Sequence, residues 1–124
     1  MSLVSMFKGN GPTGFGYGST AEEVTEGVDL TGRQVLITGC NSGIGHETMR
    51  VLAMRGATIL GAARTEQKAR EACASVDGDT VPVVCELSEP ESVRACVQQV
   101  ASRDEPVDTI ICNAGIMALP ELEQ

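Results

Sequence analysis

From Thr38 the chain reads Thr38-Gly39-Cys40-Asn41-Ser42-Gly43-Ile44-Gly45, a glycine-spaced loop with an apolar run before it and a helical period after it. The run Gln34-Val35-Leu36-Ile37-Thr38 is short and bounded by glycine, which predicts a buried strand. Residues 43–55 carry Ile44, Thr48, Val51 and Leu52 at helical spacing and close at Gly56, a helix stop. Few folds deliver a strand into a helix through such a loop. Gly39 permits the sharp turn out of the strand, and Gly43 lets backbone amides approach an anion with no Cβ in the way. Gly45 lets the helix pack close to the sheet, with its positive N-terminal end aimed at the loop. The arrangement predicts a cradle for a dinucleotide pyrophosphate. A tight turn without a ligand is the plainer alternative.

The same alternation continues down the chain. Residues 57–63 form a second apolar run, and 66–76 place Ala69, Ala72, Cys73 and Val76 on one helical face behind Thr65 as N-cap. Residues 81–87 are a third strand, with Pro82 near its start where a missing donor does least harm. Ser88-Glu89-Pro90-Glu91 opens a third helix with a capping box, and Val93, Cys96, Val97 and Val100 follow as its apolar face. Val107 to Asn113 is a fourth strand, ending at Ala114-Gly115. Strands joined through helices with short connections require right-handed crossovers and a parallel sheet. The expected fold is therefore α/β, a Rossmann-type doubly wound sheet of about four strands in the order 3-2-1-4 with three helices. That unit spans residues 30–124. Residues 1–29 precede it as a flexible arm rich in glycine (Gly9, Gly11, Gly14, Gly16, Gly18) and a short helix that starts at a Thr20/Glu23 capping box and ends near Gly27.

Composition narrows the ligand. Nine Lys plus Arg against 17 Asp plus Glu leave a net charge of −8, which argues against nucleic-acid backbone and anionic membrane surfaces. The aromatics are Phe7, Phe15 and Tyr17, so no base-stacking platform exists beyond the arm and the core must be aliphatic. No apolar run is long enough for a membrane span, and the start lacks the basic and apolar regions of a signal peptide. Five cysteines without a CxxC pair, and a single histidine, His46, give no zinc quartet. Cys73, Cys85, Cys96 and Cys112 all fall in apolar-periodic segments, where reduced cysteine packs as a small hydrophobe. The expected setting is reduced and cytoplasmic, with no structural metal.

A P-loop fails because no Gly-Lys-Ser/Thr follows and the lysines, Lys8 and Lys68, lie elsewhere. A methyltransferase would want an acid at the end of the second strand, where this chain has Ala62-Ala63-Arg64. Arg64 is informative in itself. An acid there would accept the adenosine ribose 2′-OH, whereas an arginine attracts a 2′-phosphate, so NADP(H) is favoured over NAD(H). Lys68, one helical turn later, would add a second positive charge. A solvated surface cation is the other reading of Arg64.

These residues resemble the amino-terminal half of the short-chain dehydrogenase/reductase family. The resemblance covers residues 30–117 and rests on Thr38-Gly39-x-x-x-Gly43-Ile44-Gly45 and on Asn113-Ala114-Gly115, about 70 residues apart. The lead-in, Ser19 to Val24 and Asp29-Leu30-Thr31-Gly32, and Asn113 to Met117 are similar to its retinol-dehydrogenase-like branch, which includes the WW-domain-containing oxidoreductase and plant chloroplast-envelope relatives. The resemblance implies that Gly39, Cys40, Asn41, Ser42, Gly43, Ile44 and Gly45 line the cofactor diphosphate and that Arg64 meets the 2′-phosphate. Glu86-Leu87 would lie by the adenine, in the place where the family commonly has Asp and an apolar residue. Asn113, Ala114 and Gly115 would steady the central strand and flank the ribose. Cys40 and His46 also read as a small filler and an exposed helix-start residue.

The family's reaction uses a Ser and a Tyr-x-x-x-Lys, the Tyr protonating the carbonyl oxygen and the Lys lowering its pKa. Here the only tyrosine is Tyr17, and four residues on stands Ala21. The expectation is a chain that holds the dinucleotide and has no catalytic residue of its own. For a complete enzyme the resemblance implies carbonyl–alcohol conversion on a lipophilic substrate. The alternative is a non-catalytic nucleotide-binding or interaction module that pairs with a longer relative. A fourth strand left as an uncovered edge would invite pairing with another chain, a second copy included, and would make the isolated chain marginally stable.

Overall fold

The structure, a computed structural model, describes residues 9–115. Phe7 and Lys8 of the arm, and Ile116 and Met117 of the resemblance, lie outside the described residues. The elements run α1 (Ala21–Val24), β1 (Gln34–Thr38), α2 (Gly43–Met54), β2 (Thr58–Ala63), α3 (Glu66–Ala74), β3 (Thr80–Val84), α4 (Pro90–Ala101) and β4 (Thr109–Ile111). The four strands form one parallel sheet in the order β3-β2-β1-β4, as the alternation predicts.

Side chains on the sheet alternate between two cores, as the period of two in a strand requires. Val35, Ile37, Ile59 and Ala63 face one side, where they pack with Met49 and Ala53 of α2 and Ala69, Ala72 and Cys73 of α3. Leu60, Ala62 and Val83 face the other side, against Cys96 of α4, with Leu36, Val93 and Val100 half-buried around them. Both cores are aliphatic and sulfur-filled. At Gly61 a Cβ would stand 2.9 Å from Met49 Sδ, 3.0 Å from Cys73 Sγ and 3.1 Å from Cys40 Sγ. Three sulfur atoms therefore fill the room that a side chain at 61 would need, which brings α2 and α3 tight onto β2.

Several boundaries differ from the sequence reading. Strand β3 stops at Val84 rather than Leu87, because its partner β2 ends at Ala63, paired with Val84. Beyond it the Glu86 N–H turns to Ser92 Oγ at 2.8 Å. Strand β4 is three residues long instead of seven. Side chains take over its ladder at both ends: Asp108 Oδ2 accepts the Gln34 N–H at 2.9 Å, and Thr38 Oγ1 accepts the Asn113 N–H at 3.1 Å. Helix α4 begins at Pro90 with Glu89 as an N-cap that makes no side-chain bond. The expected Ser88 cap is spent elsewhere, since Ser88 Oγ donates to Glu86 Oε1 at 2.7 Å. Thr20 and Thr65 do cap, accepting from the N–H groups of Glu23 and Lys68. Helix α1 is a single turn that ends at Val24, short of Gly27.

Three apolar positions do not face the core as expected. Ile44 is 80% exposed, so the buried row of α2 is Gly45, Met49, Val51 and Ala53. Val97 on α4 is 60% exposed. Cys112 is exposed, whereas the other four cysteines are buried. Over residues 9–18 the glycine-rich arm is exposed almost throughout, with turns closed by bonds such as Gly11 N–H to Phe15 O at 2.8 Å. Helix α1 buries no residue, and polar contacts tie it to α2. Arg50 bridges Glu22 and Glu47 at 2.6 Å each, and Arg55 Nη2 donates to Glu22 O at 2.8 Å.

Candidate functional site: a glycine loop at the carboxyl end of the sheet

Strands β1, β2 and β4 all end at one edge of the sheet, where a doubly wound fold binds its ligand. The turn out of β1 is made by Gly39 at φ 67°, where a Cβ would meet Ala114 Cα at 3.0 Å. Gly45 has no room at all. A Cβ there would lie 2.1 Å from Gly39 O and 2.4 Å from Asn113 Nδ2. The first turn of α2 therefore rests directly on the β1 turn and on the Asn113 side chain. Gly43 is the opposite case, with φ 58° and nothing within 4 Å of a Cβ position. One glycine is required by packing, the other by backbone conformation, with open space beyond it.

The amides at the start of α2 fit an anion. The first N–H groups of a helix have no partner within it, and capping side chains usually take them. Ser42 stands at the N-cap and makes no such bond. Asn41, Ser42, Gly43 and Ile44 are all exposed. Cys40 is different: its side chain is fully buried, and its N–H donates to Ala62 O at 3.3 Å. Both its thiol and its amide are thus committed to the fold, as a filler would be. His46 reaches back from α2 to Ser75 Oγ at 2.8 Å and ties the start of α2 to the end of α3.

The second motif lies against the first. Asn113 and Ala114 touch the β1 turn, while Gly115 has nothing within 4 Å of a Cβ position. Thr38, whose role in the motif the sequence does not reveal, is the acceptor that gathers this corner: its Oγ1 takes the N–H groups of Asn113 and Ala114. Arg64 follows β2 directly, and its side chain is 64% exposed. Its Nε lies 3.8 Å from Glu86 Oε2, so these two sequence-singled residues are neighbours. Leu87 beside them is 55% exposed, an apolar surface at the same edge as Ile44. The Ser88 hydroxyl and N–H, with a smaller contribution from the charges of Arg64 and Lys68, hold the Glu86 carboxyl below the usual range.

The profile of the short chain dehydrogenase family matches residues 33–124, and so takes in the whole sheet and both motifs. The chain belongs to that family. It is 36% identical to the short-chain dehydrogenase TIC 32 B, chloroplastic, of Brassica napus over 126 residues, covering 97% of this chain and 39% of the relative. Retinol dehydrogenase 12 of Mus musculus is 36% identical over 101 residues, 77% of this chain and 32% of that protein. Among solved structures, L-sorbose reductase from Gluconobacter frateurii, complexed with NADPH and L-sorbose, superposes with a TM-score of 0.64 at 32% identity. That match covers 71% of this chain and 35% of the reductase. The chain thus spans well under half the length of the relatives it matches. Members of this family bind an NAD(P) dinucleotide. No helix among the described residues is long and apolar enough to cross a membrane.

Proposed function

We propose that this chain is the NADP(H)-binding half of an oxidoreductase that interconverts carbonyl and alcohol groups on a lipophilic substrate. The observation that carries the reading is the pairing of an uncapped α2 N-terminus beside open Gly43 with an exposed Arg64 at the end of β2. On this reading the amides from Asn41 to Gly45 hold the diphosphate and Ile44 lies along the cofactor. Arg64 meets the 2′-phosphate, Glu86 and Leu87 lie beside the adenine, and Asn113, Ala114 and Gly115 border the ribose. The nicotinamide would supply hydride transfer, and this chain's residues would hold the diphosphate and adenosine of the same cofactor. The general acid would come from outside this sequence, since Tyr17 is followed four residues on by Ala21. By itself the chain binds dinucleotide and does not turn over substrate. The name of retinol dehydrogenase 12 supports the lipophilic substrate class, and the free, mostly buried cysteines support a reducing, cytoplasmic setting.

Fluorescence titration of the chain with NADPH and NADH, with Arg64→Ala as control, tests the reading. Saturable NADPH binding that weakens selectively in the variant is the expected result. Binding of neither nucleotide, or equal loss of both in the variant, overturns it.

A second reading, a non-catalytic nucleotide-binding module that pairs with another chain, is favoured by one observation. Ile110 is 61% exposed on β4, which among the described residues has β1 as its sole sheet neighbour, and Val97 of α4 is exposed as well. Sedimentation of the chain and its Ile110→Lys variant tests pairing between two copies: self-association that the lysine abolishes supports it, and a monomer in both cases leaves only a longer relative as the partner.

A further inference from the structure

We propose that Glu86 is a specificity-setting counter-charge that competes with the cofactor's 2′-phosphate for Arg64 and so holds down the preference for NADP(H) over NAD(H). The inference rests on the reading that this edge of the sheet binds the adenosine end of a dinucleotide. Its basis is how firmly the carboxylate is placed. Glu86 Oε1 accepts two bonds from Ser88, the N–H at 3.2 Å and the hydroxyl at 2.7 Å. The backbone is fixed as well, with the Glu86 N–H on Ser92 Oγ at 2.8 Å. Two bonds from Ser88 in the β3–α4 connection thus orient the side chain and leave Oε2 toward Arg64, while Ser92 of α4 fixes the backbone.

The contact with Arg64 is one of charge and not of hydrogen bonding. At 3.8 Å from Nε to Oε2 it exceeds hydrogen-bond range, so the guanidinium keeps its donors for another acceptor. Arg64 is mostly exposed and able to meet a ligand, while Glu86 is three-quarters covered and held in place. A phosphate drawn to Arg64 therefore arrives beside a fixed negative charge. Attraction to the arginine and repulsion from the carboxylate oppose each other at that point. A cofactor with a free 2′-OH feels neither to the same degree. Lys68 acts on Glu86 with the same sign as Arg64, so the carboxylate sits among the cations that a phosphate would use.

The test is the ratio of NADPH to NADH dissociation constants for the full 124-residue chain and for Glu86→Gln, Glu86→Asp, Arg64→Ala and the double variant Arg64→Ala/Glu86→Gln. Glu86→Gln is expected to shift that ratio toward NADPH by about two- to fivefold, the scale of a partly exposed ion pair, over any change both nucleotides share through the adenine. The gain should shrink when Arg64 is already alanine, because the competition is then gone and only the direct repulsion remains. Glu86→Asp draws the carboxylate back and should shift the ratio the same way by less. It also carries the test if glutamine at 86 abolishes the cooperative melt. Equal changes for both nucleotides would make Glu86 a common adenine contact and overturn the inference while leaving NADP(H) binding intact. An unchanged ratio would do the same. Failure of the unsubstituted chain to bind either nucleotide would instead remove the underlying reading, and the inference with it.

Discussion

Asn113 Nδ2 donates to two backbone carbonyls at once, Thr38 O at 3.1 Å and Gly39 O at 3.2 Å. In return Thr38 Oγ1 accepts the N–H groups of Asn113 at 3.1 Å and Ala114 at 3.0 Å. The end of β1 and the segment after β4 are thereby clamped by four hydrogen bonds, just where the glycine loop begins. Asn113→Ala leaves two part-buried carbonyls without this donor, and a cost of about 1–3 kcal/mol is expected. Urea denaturation measures it. A midpoint equal to that of the unsubstituted chain would show that water replaces the amide.

Gly43 and Gly45 should separate binding from folding. Gly45→Ala drives a Cβ into Gly39 O and Asn113 Nδ2, atoms of a backbone turn and its clamp that have no room to yield. The loss should exceed the roughly 3 kcal/mol typical of overpacking, enough to unfold the chain. Gly43→Ala meets no atom and costs only its positive φ, about 1–2 kcal/mol. Circular dichroism melts should show a folded Gly43→Ala chain and an unfolded Gly45→Ala chain. The Gly43 variant, although folded, is expected to bind NADPH more weakly.

The thiols should react in two classes. Burial pushes Cys40 up to about 11, and Cys96 is raised by the same cause. Cys112 is exposed. At pH 8 an aromatic disulfide reagent should label Cys112 rapidly in the native chain and reach the other four only after denaturant is added, since the thiolate is the nucleophile. Fast labelling of more than one thiol without denaturant would show that the cores around Gly61 and Cys96 open readily.

Acid should loosen the middle of α2, where Glu47 and Arg50 pair within the helix. Glu47 is held below the usual carboxylate range, chiefly by its hydrogen bond to Arg50. Its folded pKa therefore lies under its unfolded one. The stabilisation is complete above the ordinary glutamate range and declines as pH falls through the folded value. Amide hydrogen exchange at residues 47–51, followed from neutral pH downward, should accelerate relative to β1 and β2. Arg50→Ala should show the faster exchange at every pH and lose the pH dependence. An exchange ratio that stays flat in the unsubstituted chain would show that the Glu47–Arg50 pair adds nothing to the stability of α2.

The alternation of apolar runs with helical periods specified a parallel sheet in the order β3-β2-β1-β4, because short connections and right-handed crossovers leave little else. The glycine loop was legible for a similar local reason: Gly39 and Gly43 occupy conformations that other residues adopt only under strain. The Thr20 and Thr65 caps were legible too, since each bonds an amide three residues on. Strand ends were not, because a strand stops where its partner stops, and the partner is remote in sequence. Exposure at Ile44, Val97 and Cys112 was hidden for the same reason: periodicity marks a face but does not say which element covers it. The Asn113–Thr38 clamp and the 3.8 Å approach of Arg64 to Glu86 exist only once the strands are aligned. Sequence by itself thus determined the fold and the chemistry of each site residue. Tertiary structure decided which charges meet, because electrostatic and hydrogen-bond energies depend on separations that only the folded sheet creates.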